Sequence, residues 1–187
     1  MASSLGFLIR DGLESDLDRC LELDHGSETD LVWQMTVFEE PGAQQISFKT
    51  EHLPRTMEVD YPTNRRRLAM ALPEDHCFLV AISRDSDDSE ELLGYLAMQC
   101  QPTHRNAQIQ DLIVSRTYRG HGIGSRLLNV ARKWAHERDL RRLTMEVQTK
   151  NYPGICFCQA VGMRFCGFND RYFENGDIAV FFSQSLR

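Results

Sequence analysis

Residues 108–147 read as a strand, a glycine-rich turn, a helix and a second strand in direct succession, an order that belongs to a helix laid on a sheet. Gln108-Ile-Gln-Asp-Leu-Ile-Val114 has apolar residues on both faces, Ile109 and Ile113 on one and Leu112 and Val114 on the other. That pattern predicts a central strand covered from both sides. Arg119-Gly-His-Gly-Ile-Gly124 then places glycine at every second position. Beyond it, Ile123, Leu127, Leu128, Ala131, Trp134 and Ala135 share one helical face, opposite Arg126, Asn129, Arg132, Lys133 and His136. Arg141-Arg-Leu-Thr-Met-Glu-Val147 supplies the next strand.

A glycine loop feeding a helix has a physical use. The first N–H groups of a helix have no partner within it and the helix dipole is positive there, so phosphate oxygens are attracted if side chains leave room. No Gly-Lys-Ser/Thr follows, which excludes a Walker loop. Ser125 stands where the third glycine of a dinucleotide fingerprint belongs, which argues against that class too.

The remaining chain fits one α/β domain over residues 1–187, since 187 residues with 42% apolar content can bury one sizeable core. Residues 7–10 read as a strand, and Leu13, Leu17, Cys20 and Leu21 as a helical face. Residues 31–38 and 45–50 flank Pro41-Gly42 as an N-terminal hairpin. Pro54 and Pro62 keep the stretch between them extended. A short helix over 64–72, capped by Thr63, leads to strands at 77–83 and 92–99 joined by an acidic loop at 84–90. Pro153 opens a short helix that runs to Val161 and stops at Gly162, and residues 163–173 and 177–182 read as a closing hairpin around Asn175-Gly176.

Charge and cysteine usage narrow the function classes. Residues 1–60 hold 13 Asp/Glu against 4 Lys/Arg in a chain of net charge −6. Nucleic acid calls for a basic stripe and is not the expected partner. The acidic third is either a solvated face or a surface for a cationic substrate. The six cysteines form neither a C-x-x-C pair nor a zinc spacing, and four lie in apolar segments, so reduced thiols and no metal are expected. No apolar run approaches the roughly 20 residues of a membrane helix, and residues 5–9 lack signal-peptide flanks. A cytoplasmic protein that does not touch membranes is the expectation.

Val114-Ser-Arg-Thr-Tyr-Arg-Gly-His-Gly-Ile-Gly124 resembles the acetyl-CoA signature of the GNAT acetyltransferases, in which a strand ending in Val is followed by Arg/Gln-x-x-Gly-x-Gly/Ala opening a helix. A second signature of the family is similar to Glu146-Val-Gln-Thr-Lys-Asn151 followed by Phe157-Cys-Gln-Ala-Val-Gly-Met163. Together these cover residues 107–168. Ile109-Gln-Asp-Leu-Ile-Val114, Glu146-Val-Gln148 and the tail from Gly167-Phe168 to Asp177-Ile-Ala-Val-Phe-Phe182 resemble the streptothricin acetyltransferase-like branch most, while the hairpin around Trp33 departs from it.

The resemblance implies a mixed central sheet whose fourth and fifth strands, here 108–114 and 141–147, splay apart, with helices on both faces and an extra N-terminal β-hairpin. It implies that the backbone of Leu112, Ile113 and Val114 holds the pantetheine arm of acetyl-CoA, and that Arg119, Gly120, His121, Gly122, Ile123, Gly124 and Ser125 hold the pyrophosphate. Asn151 matches a cofactor-contacting Asn, or serves as a helix cap. Asp111 and Glu146 are the candidate catalytic carboxylates, each with a structural alternative. Relatives often carry Glu where Gln110 stands. Cys158 occupies the place of the family's general-acid tyrosine; it is either an acid or packing, with Tyr152 or water as the substitute donor. The implied activity is acetyl transfer from acetyl-CoA to a primary amine of a small cationic molecule, in a ternary complex and within a possible homodimer. The alternatives are a protein or peptide N-acetyltransferase, an acyl-CoA-binding regulatory module and a nucleotide-binding protein.

Overall fold

The computed structural model describes residues 6–61, 63–84 and 90–186. Pro62 and most of the acidic loop, residues 85–89, lie outside them. In chain order the strands are β1 (Phe7–Asp11), β2 (Ser27–Glu40), β3 (Ala43–Val59), β4 (Cys77–Arg84), β5 (Glu90–Gln101), β6 (Asn106–Val114), β7 (Arg142–Gln148), β8 (Arg164–Asn169) and β9 (Ala179–Ser185). The helices are α1 (Leu17–Leu21), α2 (Arg65–Ala69), α3 (Ile123–Glu137) and α4 (Tyr152–Ala160). The chain divides into two compact units, one of residues 1–25, 63–146 and 183–187, the other of residues 26–62 and 147–182.

In the first unit the strands lie in the order β1, β4, β5, β6 and the start of β7. Neighbours run antiparallel except β6 and β7, which are parallel and joined through α3. Successive residues of β4 and β5 are buried, as expected of strands covered on both faces. α3 packs on β4, β5 and β6, and α1 packs on β5 and α2. Ile123, Leu127, Leu128, Ala131 and Ala135 form the buried face of α3. Trp134 lies at the edge of that face, with the Arg138 guanidinium 3.7 Å from its ring centre.

Several sequence expectations need local correction. The N-terminal helix is a 3-10 turn at Glu14–Asp16 followed by the short α1. Asp16 is the cause: buried, it receives Arg10 through both oxygens at 2.7 and 2.9 Å and the Leu13 N–H at 2.9 Å. The side chain that caps α2 is Asn64, which accepts the Arg67 N–H at 2.8 Å, one residue after the expected Thr63.

The second unit holds the β2–β3 hairpin. It turns at Pro41-Gly42, with Gly42 at φ +83°, and is longer than its sequence pattern suggests. Its register breaks between Thr29↔Met57 and Leu31↔His52, which leaves Asp30 opposite the segment carrying Pro54. The paired residues Trp33/Thr50, Met35/Phe48 and Val37/Ile46 form one apolar stripe, along which Trp33 and Phe48 meet Phe165. The closing hairpin has shorter strands and a longer loop than expected. Asp177 O accepts the N–H groups of both Tyr172 and Phe173, which folds that stretch into the turn rather than into β8.

Candidate functional site

Gly120 and Gly122 take φ of +81° and +80°, where an L side chain is strained. A Cβ built on either meets nothing within 4 Å. The loop therefore needs glycine for its backbone and leaves open space beside it. Gly122 is the N-cap of α3, and the Arg126 N–H reaches its carbonyl at 3.0 Å. The N–H groups of Ile123, Gly124 and Ser125 come before that bond and have no acceptor within the helix, the arrangement by which a helix start attracts anions. The Ile123 side chain is in the core, so it can serve only through its backbone. His121 Nδ1 lies 3.2 and 3.1 Å from the Tyr118 and Arg119 carbonyls.

Arg119 braces this loop. Its Nε donates to Val114 O at 3.0 Å and its Nη2 to Asp24 O at 3.2 Å. Burial lowers its pKa, and the Asp24 carboxylate partly opposes that shift. The end of β6 is thus tied to the loop that follows it.

Strand β6 holds the main correction. Against β5 the register runs Val114↔Gly94, Ile113↔Tyr95, Leu112↔Leu96 and Asp111↔Ala97, then Ile109↔Met98 and Gln108↔Gln99. Gln110 is an extra residue, a β-bulge, and one extra residue reverses the alternation beyond it. Ile109 therefore shares a face with Leu112 and Val114, while Asp111 and Ile113 face the other way with Gln108. Alternation alone had placed Ile109 with Ile113. Opposite Val114, a Cβ on Gly94 would lie 2.5 Å from Ile113 O, so β5 and β6 approach too closely for a side chain. The β6–β7 ladder runs only from Asn106↔Arg142 to Ile109↔Met145 and stops at the bulge.

The bulge also assembles the charged cluster. Glu146 follows Met145 and so faces with Gln108 and Asp111. Arg67, from α2, directs Nε to Asp111 Oδ1 at 3.2 Å and Nη2 to Gln110 O at 3.0 Å, and Nη2 also pairs with Glu146 Oε1. Gln108 Nε2 donates to Glu146 Oε2 at 2.7 Å. Both carboxylate side chains are fully buried, and the Arg67 side chain is 21% exposed. Buried carboxylates need such compensation.

Tyr95 is buried on the same face. Burial first and Asp111 second raise its pKa, so it stays a phenol. Its hydroxyl lies 2.9 Å from His25 Nε2, and burial lowers the pKa of that imidazole. Sequence reasoning missed Arg67, Tyr95 and His25. No local pattern marks contacts made across so many residues.

Two expected site residues belong to the second unit. Asn151 caps α4, its Oδ1 accepting the Gly154 N–H at 2.9 Å. Cys158 is buried in α4, and burial pushes its thiol up to about 12. So weak an acid is a poor donor to a thiolate whose own conjugate acid has a pKa of about 8.5. Tyr152 is the first residue of α4 and half-buried. None of the six cysteines forms a disulfide. Among the described residues no group of three or more His, Cys, Asp or Glu is placed to hold a metal, and no helix is long and apolar enough to cross a membrane.

A bulged central strand, a left-handed glycine loop and an open helix start define an α/β protein with room for a ligand beside the unpaired amides of a helix. The profile of the acetyltransferase (GNAT) family matches residues 43–163, and the chain belongs to that family. It is 31% identical to a streptothricin acetyltransferase of Streptomyces lavendulae over 108 residues, 56% of this chain and 55% of that protein. It is 43% identical to a streptothricin acetyltransferase of Escherichia coli over 80 residues, 43% of this chain and 45% of that one. The chain thus spans about half the length of the curated relatives it matches. The fold is shared with the crystal structure of nourseothricin acetyltransferase, at a TM-score of 0.82 and 22% identity over 97% of this chain and 99% of that one. It is also shared with a candidate streptothricin acetyltransferase from Bacillus anthracis in complex with acetyl coenzyme A, at a TM-score of 0.75 and 20% identity over 96% and 98%.

Proposed function

We propose that this protein is an acetyl-CoA-dependent N-acetyltransferase acting on a primary amine of a small cationic molecule. The observation that carries the reading is the Gly120–Gly122 loop, left-handed, open to approach and set at the start of α3. The amides of residues 120–125 hold the pyrophosphate of CoA. Backbone groups of Leu112, Ile113 and Val114 hold the pantetheine arm, and one of their N–H groups stabilises the oxyanion of the tetrahedral intermediate. Asn151 keeps its capping role.

The amine must lose a proton before its lone pair attacks the thioester carbon. We assign that proton, carried through a water, to the Glu146 carboxylate, with Asp111 as its charged neighbour across Arg67. The tetrahedral intermediate then collapses: its nitrogen, cationic after the addition, releases its second proton to solvent as the C–S bond breaks, and the CoA thiolate takes up a proton from solvent. Cys158 packs α4 in this scheme.

Support for a cationic acceptor comes from the exposed acidic residues of the second unit, Glu28, Asp30, Glu39, Glu40, Glu51 and Glu58, and from the streptothricin acetyltransferases among its relatives. Unbridged thiols fit a cytoplasmic setting. The second reading, a protein N-acetyltransferase, draws on the fold shared with the ribosomal-protein-S18-alanine N-acetyltransferase of Escherichia coli, at a TM-score of 0.65 and 13% identity over 97% of this chain and 94% of that one. Acetyl-CoA turnover with a panel of cationic amines, neutral amines and peptides tests both. Cationic amines should react fastest, with a KM that rises with salt more steeply than that of neutral amines. Turnover confined to peptides would refute the small-molecule assignment, and no turnover with any amine would refute the activity.

A further inference from the structure

We propose that Arg67 is a positioning residue for acetyl transfer, holding Glu146 in the orientation from which it takes the acceptor's proton. The inference rests on the assignment of Glu146 made above. Three acceptors of different origin converge on one guanidinium: the Asp111 carboxylate, the Glu146 carboxylate and the carbonyl of the bulged Gln110. They meet where the β6–β7 ladder has ended at Ile109↔Met145. Past that pair the connection is made by side chains, among them Gln108 of β6, which donates to Glu146, and Gln110 is the bulged residue of β6. Arg67 ties the two strands together there, since Nη2 spans the Gln110 carbonyl and Glu146 while Nε holds Asp111.

The sequence builds this clamp locally. Asn64 caps α2 by accepting the backbone N–H of Arg67 itself, so the cap that starts the helix also fixes the backbone from which the guanidinium projects. Leu68 and Ala71 are buried beside it and anchor the segment. Gln108 holds the other oxygen of Glu146 at 2.7 Å, so the carboxylate is gripped at both ends. A planar fork holds its donors at fixed angles and spacing, which a lysine ammonium, a compact charge on a flexible stem, does not reproduce. The partial exposure of Arg67 against the full burial of both carboxylates sets the cation on the solvent side of the pair.

The test uses the full chain carrying Arg67→Lys, Arg67→Met, Glu146→Gln and each Arg67 substitution combined with Glu146→Gln. The readouts are kcat, KM for acetyl-CoA and thermal unfolding, with the most active amine of the panel as acceptor. Losing the orientation of a reacting group costs roughly 10²-fold. Arg67→Met should lower kcat by about that factor and leave KM for acetyl-CoA within about twofold. Arg67→Lys, which keeps the charge and still tests the inference if the melting curve shows the methionine variant unfolded, should recover only part of the loss. In the Glu146→Gln background neither Arg67 substitution should lower kcat much further, because the group being positioned is already lost. Equal losses in both backgrounds, or a fully active Arg67→Lys, would overturn the inference while leaving Glu146 as the proton acceptor. A fully active Glu146→Gln would overturn the assignment of Glu146 and this inference with it.

Discussion

Replacing Gly122 by alanine separates the backbone demand of the glycine loop from its ligand demand, because the structure contains a matched control. Gly122 and Gly42 have φ of +80° and +83°, and a Cβ built on either meets nothing within 4 Å. The left-handed strain of an alanine is therefore the same at both sites, roughly 1–2 kcal/mol. For a chain of this size each kcal/mol lowers Tm by roughly 2–4 °C, so Gly122→Ala and Gly42→Ala should both melt about 2–8 °C below the parent. Only Gly122 caps α3. A methyl group there occupies the space through which a phosphate oxygen reaches the amides of residues 123–125, and losing one hydrogen bond to a charged group costs roughly 1.5–3 kcal/mol. At about 1.4 kcal/mol per factor of ten, CoA should bind roughly 10- to 150-fold more weakly to Gly122→Ala and unchanged to Gly42→Ala. Calorimetric titration of CoA into both folded variants measures this. An unchanged Kd for Gly122→Ala, or equal weakening in the two, would refute the phosphate-loop reasoning.

Cys158→Ala should leave the pH profile of kcat superimposable on the parent's, since a thiol pushed up to about 12 by burial does not titrate near neutrality; a large rate loss together with a vanished basic limb would restore it as the acid. Gly94→Ala should destabilise the protein by roughly 1–3 kcal/mol in urea titrations, because its Cβ would meet the Ile113 carbonyl, which is backbone and cannot swing aside. Cys20, Cys77 and Cys158 are raised to about 12 and Cys100 to about 11 from an ordinary 9.0, all by burial first. These thiols are protonated in both states below pH 9; above it the unfolded chain ionises first. Stability should therefore be intact below pH 9 and fall as pH rises from about 9 toward 11 for Cys100 and toward 12 for the other three, as urea midpoints at pH 8 and 10.5 would show.

What could be read from the sequence was what repeats over short distances. The apolar face of α3 and the glycines before it carry their own periodicity and turn chemistry, and the structure places them close to where the pattern does. The capping of α4 by Asn151 and its stop at Gly162 follow from local rules of the same kind. The bulge at Gln110 could not be read, because β6 is apolar on both faces and a one-residue slip leaves such a pattern looking intact. Asn64 displaced Thr63 because two neighbouring residues can both cap and only the approach of the chain decides between them. Arg67 meets carboxylates 44 and 79 positions away. Among three consecutive arginines on a short helix, nothing local distinguishes the one that turns inward.

The extra residue in β6 also changes what is inherited in this strand. Where a strand is regular, a relative's residue can be substituted position by position and its direction is kept. Around position 110 the quantity that fixes side-chain direction is a count. Removing one residue there would carry Ile109 and Gln108 to the opposite sides of the sheet from their present ones, relative to Asp111, without altering a single side chain. Alignments of relatives that differ by one residue before Asp111 should therefore place the gap at the bulge. A chimera joined across that point needs its strand length matched before its residue identities.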